Sequence, residues 1–361
     1  MADFFENVSG GFALNGEVTA CEILSCGHIN RTYLIKTSGG CRYILQRVND
    51  TVFRDVDALM ENIRLVTNHL RTKTSDPRRV LTLVPTVDGK SYLKCESGCW
   101  RVYHYIEDSL CLQLPNSPND FYESAIGIGG FQQMLMDFPA QSLYEVIPNF
   151  HNTPDRYRLF REAVENDRMG RADSVRREID FFLSREKEMS LLQTMRDSGA
   201  LPVRVTHNDT KLNNVLLDSK TGKALCVIDL DTVMPGLSVY DYGDSIRFGA
   251  STAGEDEKDL SRVNLDLSMF RIYTQGYLTA CRGLSAAEVE MLPLGAKTMT
   301  LECGMRFLTD HLNGDVYFSI SQENQNLDRS RTQAKLVRDM EANWDQLHDI
   351  VQSVLRDTRR A

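Results

Sequence analysis

A short stretch in the second half of the chain carries the residue types that phosphoryl transfer requires. It reads V-T-H-N-D-T-K-L-N-N and contains His207, Asp209, Lys211 and Asn214 in the pattern H-x-D-x-K-x-x-N. Asp229 then follows the apolar run L-C-V-I. Carboxylate, amide and ammonium groups at these offsets can orient a hydroxyl, hold a divalent cation and neutralise phosphate charge.

Each polar group of this stretch has a distinct expected role. Asp209 would orient the acceptor hydroxyl and take its proton, and Lys211 would neutralise the transferred phosphoryl group. Asn214 and Asp229 would be Mg²⁺ ligands, and Asp231 would hold a second metal ion or order the loop. Single residues of these types are commonly turn, cap or surface residues. The combination at matching offsets favours the catalytic interpretation.

A hairpin pattern positions these residues. Short apolar runs at 214–217 and 225–228 are joined by D-S-K-T-G-K, which is typical of a β-hairpin turn. A turn before the first strand and the end of the second would bring the two acidic groups together. His207 would be a hydrogen-bonded scaffold residue beside them.

The rest of the chain predicts an α+β fold in two parts. Apolar residues spaced by three and four over 55–71 predict an amphipathic helix within a small sheet. The predicted strands of this first part are 17–25, 32–36, 42–46, 79–85, 91–94 and 99–103. After about residue 107 the pattern is mostly helical, and the predicted helices are 120–138, 176–196, 267–282, 286–313 and 329–356. We therefore expect a small antiparallel-sheet lobe over 1–106 and a larger, mainly helical lobe over 107–361.

Composition narrows the possible partners and compartments. The 361 residues include 42% hydrophobic and 25% charged residues, which are globular proportions. The net charge of −9 argues against nucleic acid or an anionic membrane as the main partner. The chain starts without a signal-peptide pattern, and its nine cysteines form no C-x-x-C pair. We expect a cytoplasmic protein with free thiols, either a monomer or a weak homo-oligomer.

Two motifs carry a resemblance to a known family. HNDTKLNN and IDLD resemble the catalytic loop and metal strand of the aminoglycoside phosphotransferase and choline kinase group, small-molecule relatives of protein kinases. From about residue 11 to the C-terminus, runs such as GHINRTYLI, WRVYHYIE, DYGDSIRFGAST and ECGMRFLTDHL resemble bacterial N-acetylhexosamine 1-kinases. The resemblance implies a two-lobed, protein-kinase-like fold. It also implies phosphorylation of the anomeric hydroxyl of N-acetylglucosamine or N-acetylgalactosamine, with ATP and Mg²⁺ as cofactors.

The nucleotide-binding residues implied by this resemblance depart from the protein-kinase pattern. They are Gly27, His28, Asn30, Gln46, Arg47, Tyr105 and Glu107. Gln46 stands where the phosphate-binding lysine of the third strand is expected, and glutamine cannot neutralise a phosphate. Lys211, Mg²⁺ and Arg47 would then carry more of the phosphate charge, and Glu61 would be only a surface residue.

Sugar contacts are also implied by the resemblance. Besides Asp209, the candidate residues are Thr232, Arg306 and Tyr317. Purely structural roles stay open for two of these residues. Arg306 could pair with a nearby acid such as Asp310, and Tyr317 could be a core residue.

Features of the sequence bear on three alternative functions. Protein kinase activity is disfavoured, because Asp241 follows Asp229 by only 12 positions and no A-P-E follows. Asp241 and Asp244, in D-Y-G-D, would be structural supports of the catalytic loop. A kinase for a cationic small molecule, such as choline or an aminoglycoside, is compatible with the acidic composition. A non-catalytic nucleotide-binding protein is suggested by Gln46.

Overall fold

The structure is a computed structural model that describes residues 8–24 and 29–360. The chain divides into two compact units. Unit 1 comprises Met1–Leu110, Asp137–Pro148 and Leu216–Met234. Unit 2 comprises Cys111–Met136, Asn149–Val215 and Pro235–Ala361.

Strands lie mostly in the first third of the chain. They are β1 (Val18–Leu24), β2 (Arg31–Thr37), β3 (Arg42–Val48), β4 (Leu83–Val84), β5 (Leu93–Cys95), β6 (Gly98–His104), β7 (Ser109–Cys111), β8 (Arg204–Thr206), β9 (Val215–Asp218), β10 (Ala224–Val227) and β11 (Met234–Gly236). The sheet of unit 1 has the order β1-β2-β3-β6-β4, and β5 also pairs with β6. Its strand pairs are antiparallel.

Helices dominate the rest of the chain. They are α1 (Val56–Arg71), α2 (Pro118–Met134), α3 (Thr153–Asn166), α4 (Arg176–Leu183), α5 (Glu186–Met189), α6 (Leu191–Asp197), α7 (Ser238–Gly249), α8 (Leu267–Ala280), α9 (Ala286–Glu290), α10 (Leu292–Asn313), α11 (Gln325–Ala342) and α12 (Trp344–Arg360). The α+β fold class predicted from the sequence is confirmed.

Alternation along the strands of unit 1 separates two faces of its sheet. One face carries an apolar core formed by Val8, Phe12, Ile35, Tyr43, Leu45, Val84, Trp100 and Val102. On the other face the guanidinium of Arg101 lies 4.0 Å from the sulfur of Met60 in α1. The predicted amphipathic helix is observed as α1. Asp55 caps its first turn, and its apolar side is buried.

Glycines allow close helix contacts in unit 2. A Cβ at Gly243 of α7 would lie 2.3 Å from the carbonyl oxygen of Gly295 in α10, so a larger residue would push these helices apart. A Cβ at Gly129 of α2 would lie 2.8 Å from the carbonyl oxygen of Tyr277 in α8. The first of these contacts involves α7, the helix that carries Asp241.

Three of the long helices predicted from the sequence are interrupted in the structure, so the prediction that they are continuous is wrong. The segment 176–196 folds as α4, α5 and α6, and the predicted helix 286–313 is broken at Met291. Pro293 lies in the first turn of the second piece, where its missing N–H leaves no helix hydrogen bond unmade. The predicted helix 329–356 is likewise interrupted at Asn343, between α11 and α12.

Two further features concern the whole described chain. The cysteines of residues 8–24 and 29–360 are free thiols, as predicted, and Cys26 lies outside this range. Within the same residues no helix combines the length and apolar character needed to cross a bilayer.

Candidate active site

Asp209 and Lys211 form an ion pair in the loop that follows β8. Oδ1 of Asp209 lies 3.0 Å from Nζ of Lys211, and each side chain is 28% exposed. Burial raises the pKa of Asp209, but nearby positive charges, led by the ammonium of Lys211, together hold the pKa below its usual value. Asp209 is therefore a carboxylate at neutral pH, as a proton acceptor must be.

Asn214 is tied to the same loop. It ends a 3₁₀ turn over Leu212–Asn214, and its Nδ2 donates to the carbonyl oxygen of Asp209 at 2.8 Å. Nδ2 also lies 3.4 Å from Oδ2 of Asp209. Because Nδ2 faces Asp209, the oxygen Oδ1 is directed away from it, and an amide oxygen is a suitable ligand for Mg²⁺.

The carboxylate of Asp241, in the first turn of α7, holds the start of this loop. It accepts the backbone N–H groups of His207 at 2.9 Å and Asn208 at 2.7 Å. The side chain of Gln132 donates to it at 2.7 Å. Asp241 is fully buried, and three donors satisfy its oxygens there.

Asp244, one turn further along α7, holds the next residue of the loop. Its Oδ2 accepts the N–H of Thr210 at 2.9 Å, and Thr210 donates its hydroxyl to the carbonyl oxygen of Asp241 at 2.6 Å. Nη2 of Arg247 forms an ion pair with Oδ1 of Asp244 at 3.0 Å. The backbone on both sides of Asp209 is thus fixed by α7.

His207 is a buried part of this scaffold. Its Nδ1 accepts the backbone N–H of Asp209 at 3.3 Å, so the proton of the neutral ring lies on Nε2. The ring of Phe131 lies edge-on at 5.9 Å. The next residue, Asn208, has a left-handed backbone with φ of 65°.

A second histidine, which the sequence pattern does not reveal, supports Asn208. Nε2 of His151 lies 3.2 Å from the carbonyl oxygen of Asn208, and Nδ1 lies 2.8 Å from the carboxylate of Glu302. Both partners are acceptors, so His151 makes both hydrogen bonds only when both ring nitrogens carry protons. Burial raises the pKa of Glu302, but its hydrogen bonds and the nearby positive charges, led by His151, together lower the pKa. Only spatial contact identifies this pair, because no motif joins its members.

Arg306, one turn after Glu302 on α10, lines a cavity of about 180 Å³ in unit 2. The cavity is lined by Arg156, Leu159, Arg306, Thr309, Asp310, Asn313, Val316, Tyr317 and Phe318. Nη2 of Arg306 lies 3.5 Å from the hydroxyl of Tyr317, and its guanidinium is 5.5 Å from the ring centre of Phe150. Tyr317 is 60% exposed, so it is not a core residue.

Asp310 binds backbone N–H groups of the segment after α10, whereas Arg306 is the partner that the sequence allows for it. Its carboxylate accepts the backbone N–H groups of Val316, Tyr317 and Phe318 at 2.9, 2.8 and 2.9 Å. It therefore shapes the segment that carries Tyr317. No salt bridge joins Arg306 to Asp310 or to another acid in the described residues.

The acidic residues of the segment after β10 belong to unit 1. Asp229 has a left-handed backbone with φ of 59° and precedes a 3₁₀ turn over Leu230–Thr232. Oδ1 of Asp231 lies 2.5 Å from Nη1 of Arg101, and Oδ2 accepts from Nδ2 of Asn30 at 2.5 Å. Thr232 is buried in the same turn.

Gln46 and Arg47 point to opposite faces of the sheet. Gln46 lies opposite Arg101, and its Oε1 accepts from Nε at 3.0 Å and Nη2 at 2.8 Å. Arg47 lies on the other face, where a Cβ at Gly98 would come within 2.8 Å of its Nε. The structure therefore does not bring Arg47 together with Gln46.

The remaining nucleotide-site candidates lie at the edge of unit 1. Glu107 is an exposed partner of Arg42, whose guanidinium lies 4.3 Å from the ring centre of Tyr105. Gly27 and His28 lie outside the described residues. No group of three or more His, Cys, Asp or Glu residues forms a metal site within residues 8–24 and 29–360. Mg²⁺ bound to nucleotides commonly has only one or two carboxylate ligands, and the amide oxygen of Asn214 in unit 2 and the carboxylate of Asp229 in unit 1 are each of a donor type that suits this cation.

Glu61, the acid expected to be a surface residue, lies on α1. It makes two hydrogen bonds to Arg64 of the same helix, at 2.7 and 2.6 Å. It is therefore engaged with a neighbour on its own helix.

Comparisons with solved structures show the same fold. The first is an aminoglycoside phosphotransferase from Alicyclobacillus acidocaldarius, 13% identical, with 96% of each chain covered and a TM-score of 0.63. The second is a choline kinase from Cryptosporidium parvum, 13% identical, with 93% of each chain covered and a TM-score of 0.59. The third is an amicoumacin kinase in complex with AMP-PNP, Ca²⁺ and Ami, 15% identical, with 87% of each chain covered and a TM-score of 0.57.

A family model extends the comparison from fold to family. The model of the phosphotransferase enzyme family, APH, matches residues 20–268, which is more than half of the chain. The match includes the loop of Asp209 and the segment of Asp229. The chain therefore belongs to the APH phosphotransferase enzyme family, as a small-molecule kinase.

Proposed function

We propose that this kinase transfers the γ-phosphoryl group of ATP to the anomeric hydroxyl of an N-acetylhexosamine and forms the sugar 1-phosphate. The observation that carries the proposal is the cavity beside Arg306. Two guanidinium groups and two aromatic rings, those of Arg156, Arg306, Tyr317 and Phe318, line it. The acid in its wall, Asp310, is engaged by backbone N–H groups.

This lining suits a neutral sugar. Guanidinium groups donate hydrogen bonds to hydroxyl and acetamido oxygens, and aromatic faces pack against the C–H groups of a pyranose ring. A cationic acceptor such as choline would meet the positive charges of Arg156 and Arg306. The same lining therefore disfavours a cationic substrate.

A chain of contacts supports a link between this cavity and the loop of Asp209. Arg306 lies one turn from Glu302, Glu302 bonds to His151, and His151 bonds to the carbonyl oxygen of Asn208. Asn208 directly precedes Asp209. An acceptor held by α10 would thus be positioned relative to the carboxylate that takes its proton.

The roles follow from the chemistry of the side chains. Asp209 orients the acceptor hydroxyl and accepts its proton, and Lys211 stabilises negative charge on the transferred group. Asn214 and Asp229 would hold Mg²⁺, which supplies neutralisation of the phosphate charges when bound. Of the two roles considered for Asp231, its ion pair with Arg101 favours ordering the loop.

The proposal also assigns the two parts of the chain. Residues 1–106 would bind the nucleotide, through Asn30, Gln46 and the backbone near Tyr105, together with Glu107 at the boundary. Residues 107–361 would hold the sugar and the catalytic loop. ATP and the sugar would be the main partners, in a reducing cytoplasm.

An ADP-release assay with four acceptors tests the proposal. The acceptors are N-acetylglucosamine, N-acetylgalactosamine, choline and kanamycin, each with ATP and Mg²⁺. We expect turnover of about 1–100 s⁻¹ with at least one acetylated sugar, as is typical of kinases, and none with the cations. Activity confined to choline or kanamycin would contradict the sugar assignment. If none of the four acceptors raises ADP release above background, the result would favour a non-catalytic protein or a different acceptor.

A further inference from the structure

We infer that Arg101 is the fixed cation of unit 1 and a positioning residue for the segment that carries Asp229 and Asp231. It supplies a positive charge beside Gln46, the position on the third strand where a phosphate-binding lysine is expected. The inference rests on the proposed role of Asp229 as a Mg²⁺ ligand.

The position of Arg101 is set by its cross-strand partner. Arg101 on β6 lies directly opposite Gln46 on β3. Side chains directly opposite on antiparallel strands have Cβ atoms about 4.5–5.5 Å apart, so a cation at 101 covers nearly the same space as one at 46. The charge missing from the third strand is thus present on the neighbouring strand.

Gln46 is suited to hold this cation. Its Oε1 accepts two hydrogen bonds from Arg101, and its Nε2 donates to the hydroxyl of Thr32 at 3.1 Å. A lysine at 46 beside Arg101 would instead place two like charges together on the buried face of the sheet. Glutamine is therefore the residue type that an arginine at 101 requires.

The acidic partner also comes from a different element. Glu61 on α1 is engaged by Arg64, whereas Asp231 lies 2.5 Å from Nη1 of Arg101. The guanidinium uses Nε and Nη2 for Gln46 and keeps Nη1 for Asp231. A planar guanidinium can bridge both partners in this way through its separate N–H groups.

This pairing bears on Asp229 through the backbone. Asp229 has a φ of 59°, a conformation that a non-glycine residue keeps only when its surroundings enforce it. Two residues later, Asp231 is held by Arg101 and by Asn30, and Asn30 also accepts the N–H of Asn49 at 3.0 Å. These contacts fix the turn that presents the Asp229 carboxylate.

Burial makes Arg101 a positioning residue. Its side chain is 1% exposed and that of Asp231 is 4% exposed. Burial lowers the pKa of Arg101, but its neighbours, led by Asp231, together hold the pKa above its usual value. Arg101 thus stays charged and offsets the carboxylate beside it.

Nucleotide binding with and without metal tests the inference. We would measure by calorimetry the Kd of AMP-PNP in Mg²⁺ and in EDTA, together with the melting temperature. For Arg101→Gln we expect the Kd in Mg²⁺ to rise about 10-fold or more, which is typical when a residue supporting a metal ligand is lost, and the Kd in EDTA to change little. A purely structural role would weaken binding equally in both buffers.

An exchange variant and a control complete the design. Gln46→Lys combined with Arg101→Gln returns the cation to the third strand and should recover most of the Mg²⁺-dependent gain. Arg78→Gln removes another ion pair of unit 1, to Asp218 at 2.9 Å, and should leave both Kd values unchanged.

The outcomes separate this inference from the proposed metal role. An unchanged Mg²⁺-dependent gain in Arg101→Gln, or no recovery in a folded exchange variant, would overturn the inference. If Arg101→Gln alone does not fold, the exchange variant decides by the same measurement. Asp229→Asn tests the metal role itself. Should Asp229→Asn lose the gain while Arg101→Gln keeps it, the role of Asp229 stands and only the inference fails.

Discussion

Nζ of Lys211 lies 3.0 Å from Oδ1 of Asp209, and this contact sets the protonation of the proposed base. Burial alone would raise the pKa of Asp209, and nearby positive charges, led by Lys211, together reverse that shift. In Lys211→Met the burial effect remains and the largest opposing charge is gone, so the pKa of Asp209 should rise. Activity that falls on acidification should then be lost at a higher pH than in the wild type.

The measurement for this prediction is kcat/KM from about pH 3 to 9, a range that includes the acid limb of the wild type. The acid limb of Lys211→Met should move up in pH, in addition to a loss of turnover at every pH. Lys220→Met, which removes an exposed lysine paired to Asp108, serves as the control. Coincident acid limbs in wild type and Lys211→Met would show that Lys211 does not set the ionisation of Asp209.

Asp241 offers a test of the loop anchor. In Asp241→Asn one of the buried N–H donors of His207 and Asn208 would face an NH₂ group instead of an oxygen. A buried donor left without its acceptor costs about 1–3 kcal/mol in the free energy of unfolding, measured by urea denaturation. Asp137→Asn, at a residue 62% exposed, should cost less than about 1 kcal/mol. Equal losses in the two variants would contradict the anchoring role.

His151 should affect the acceptor more than the nucleotide. His151→Phe removes the hydrogen bonds to Glu302 and to the carbonyl oxygen of Asn208. We expect the KM for the sugar to rise and kcat to fall, with little change in the KM for ATP, because both contacts lie in unit 2. Thr153→Val removes the other hydrogen bond of Glu302 but leaves Asn208 supported, and serves as the comparison. Parallel changes in both KM values would indicate a general folding defect instead.

Arg306 is the most specific contact proposed for the acceptor. Arg306→Lys keeps the charge but loses the planar fork, so the KM for the sugar should rise about 10-fold, the equivalent of about 1.4 kcal/mol of binding. Tyr317→Phe removes only the hydroxyl and should have a smaller effect. Arg329→Lys, at an arginine whose guanidinium lies 5.6 Å from the ring centre of Phe307, is the matched control. An unchanged KM for every acceptor in Arg306→Lys would remove Arg306 from the site.

Local patterns predict the elements of this protein well, and contacts between distant residues poorly. The helix 55–71 and the hairpin around 218–223 follow from spacing and turn residues, and both are observed within a residue or two. The interruption at Asn343 could not be predicted, because the apolar spacing continues across it.

Candidate site residues follow the same division. The loop of Asp209 is predicted by its motif, since its groups lie within eight positions. The pairing of Arg101 with Asp231 joins residues 130 positions apart, and no spacing rule reports it. One local signal was present: an arginine inside the apolar strand W-R-V-Y requires a buried partner.

The proposed reaction transfers a phosphoryl group to the anomeric oxygen of an acetylated sugar. Phosphorus NMR of the product formed from ATP, Mg²⁺ and N-acetylglucosamine or N-acetylgalactosamine tests it directly, with Asp209→Asn as the inactive control. We predict a resonance coupled to the anomeric proton, formed by the wild type and absent with Asp209→Asn. A phosphate on another sugar oxygen, or full activity in Asp209→Asn, would contradict the account.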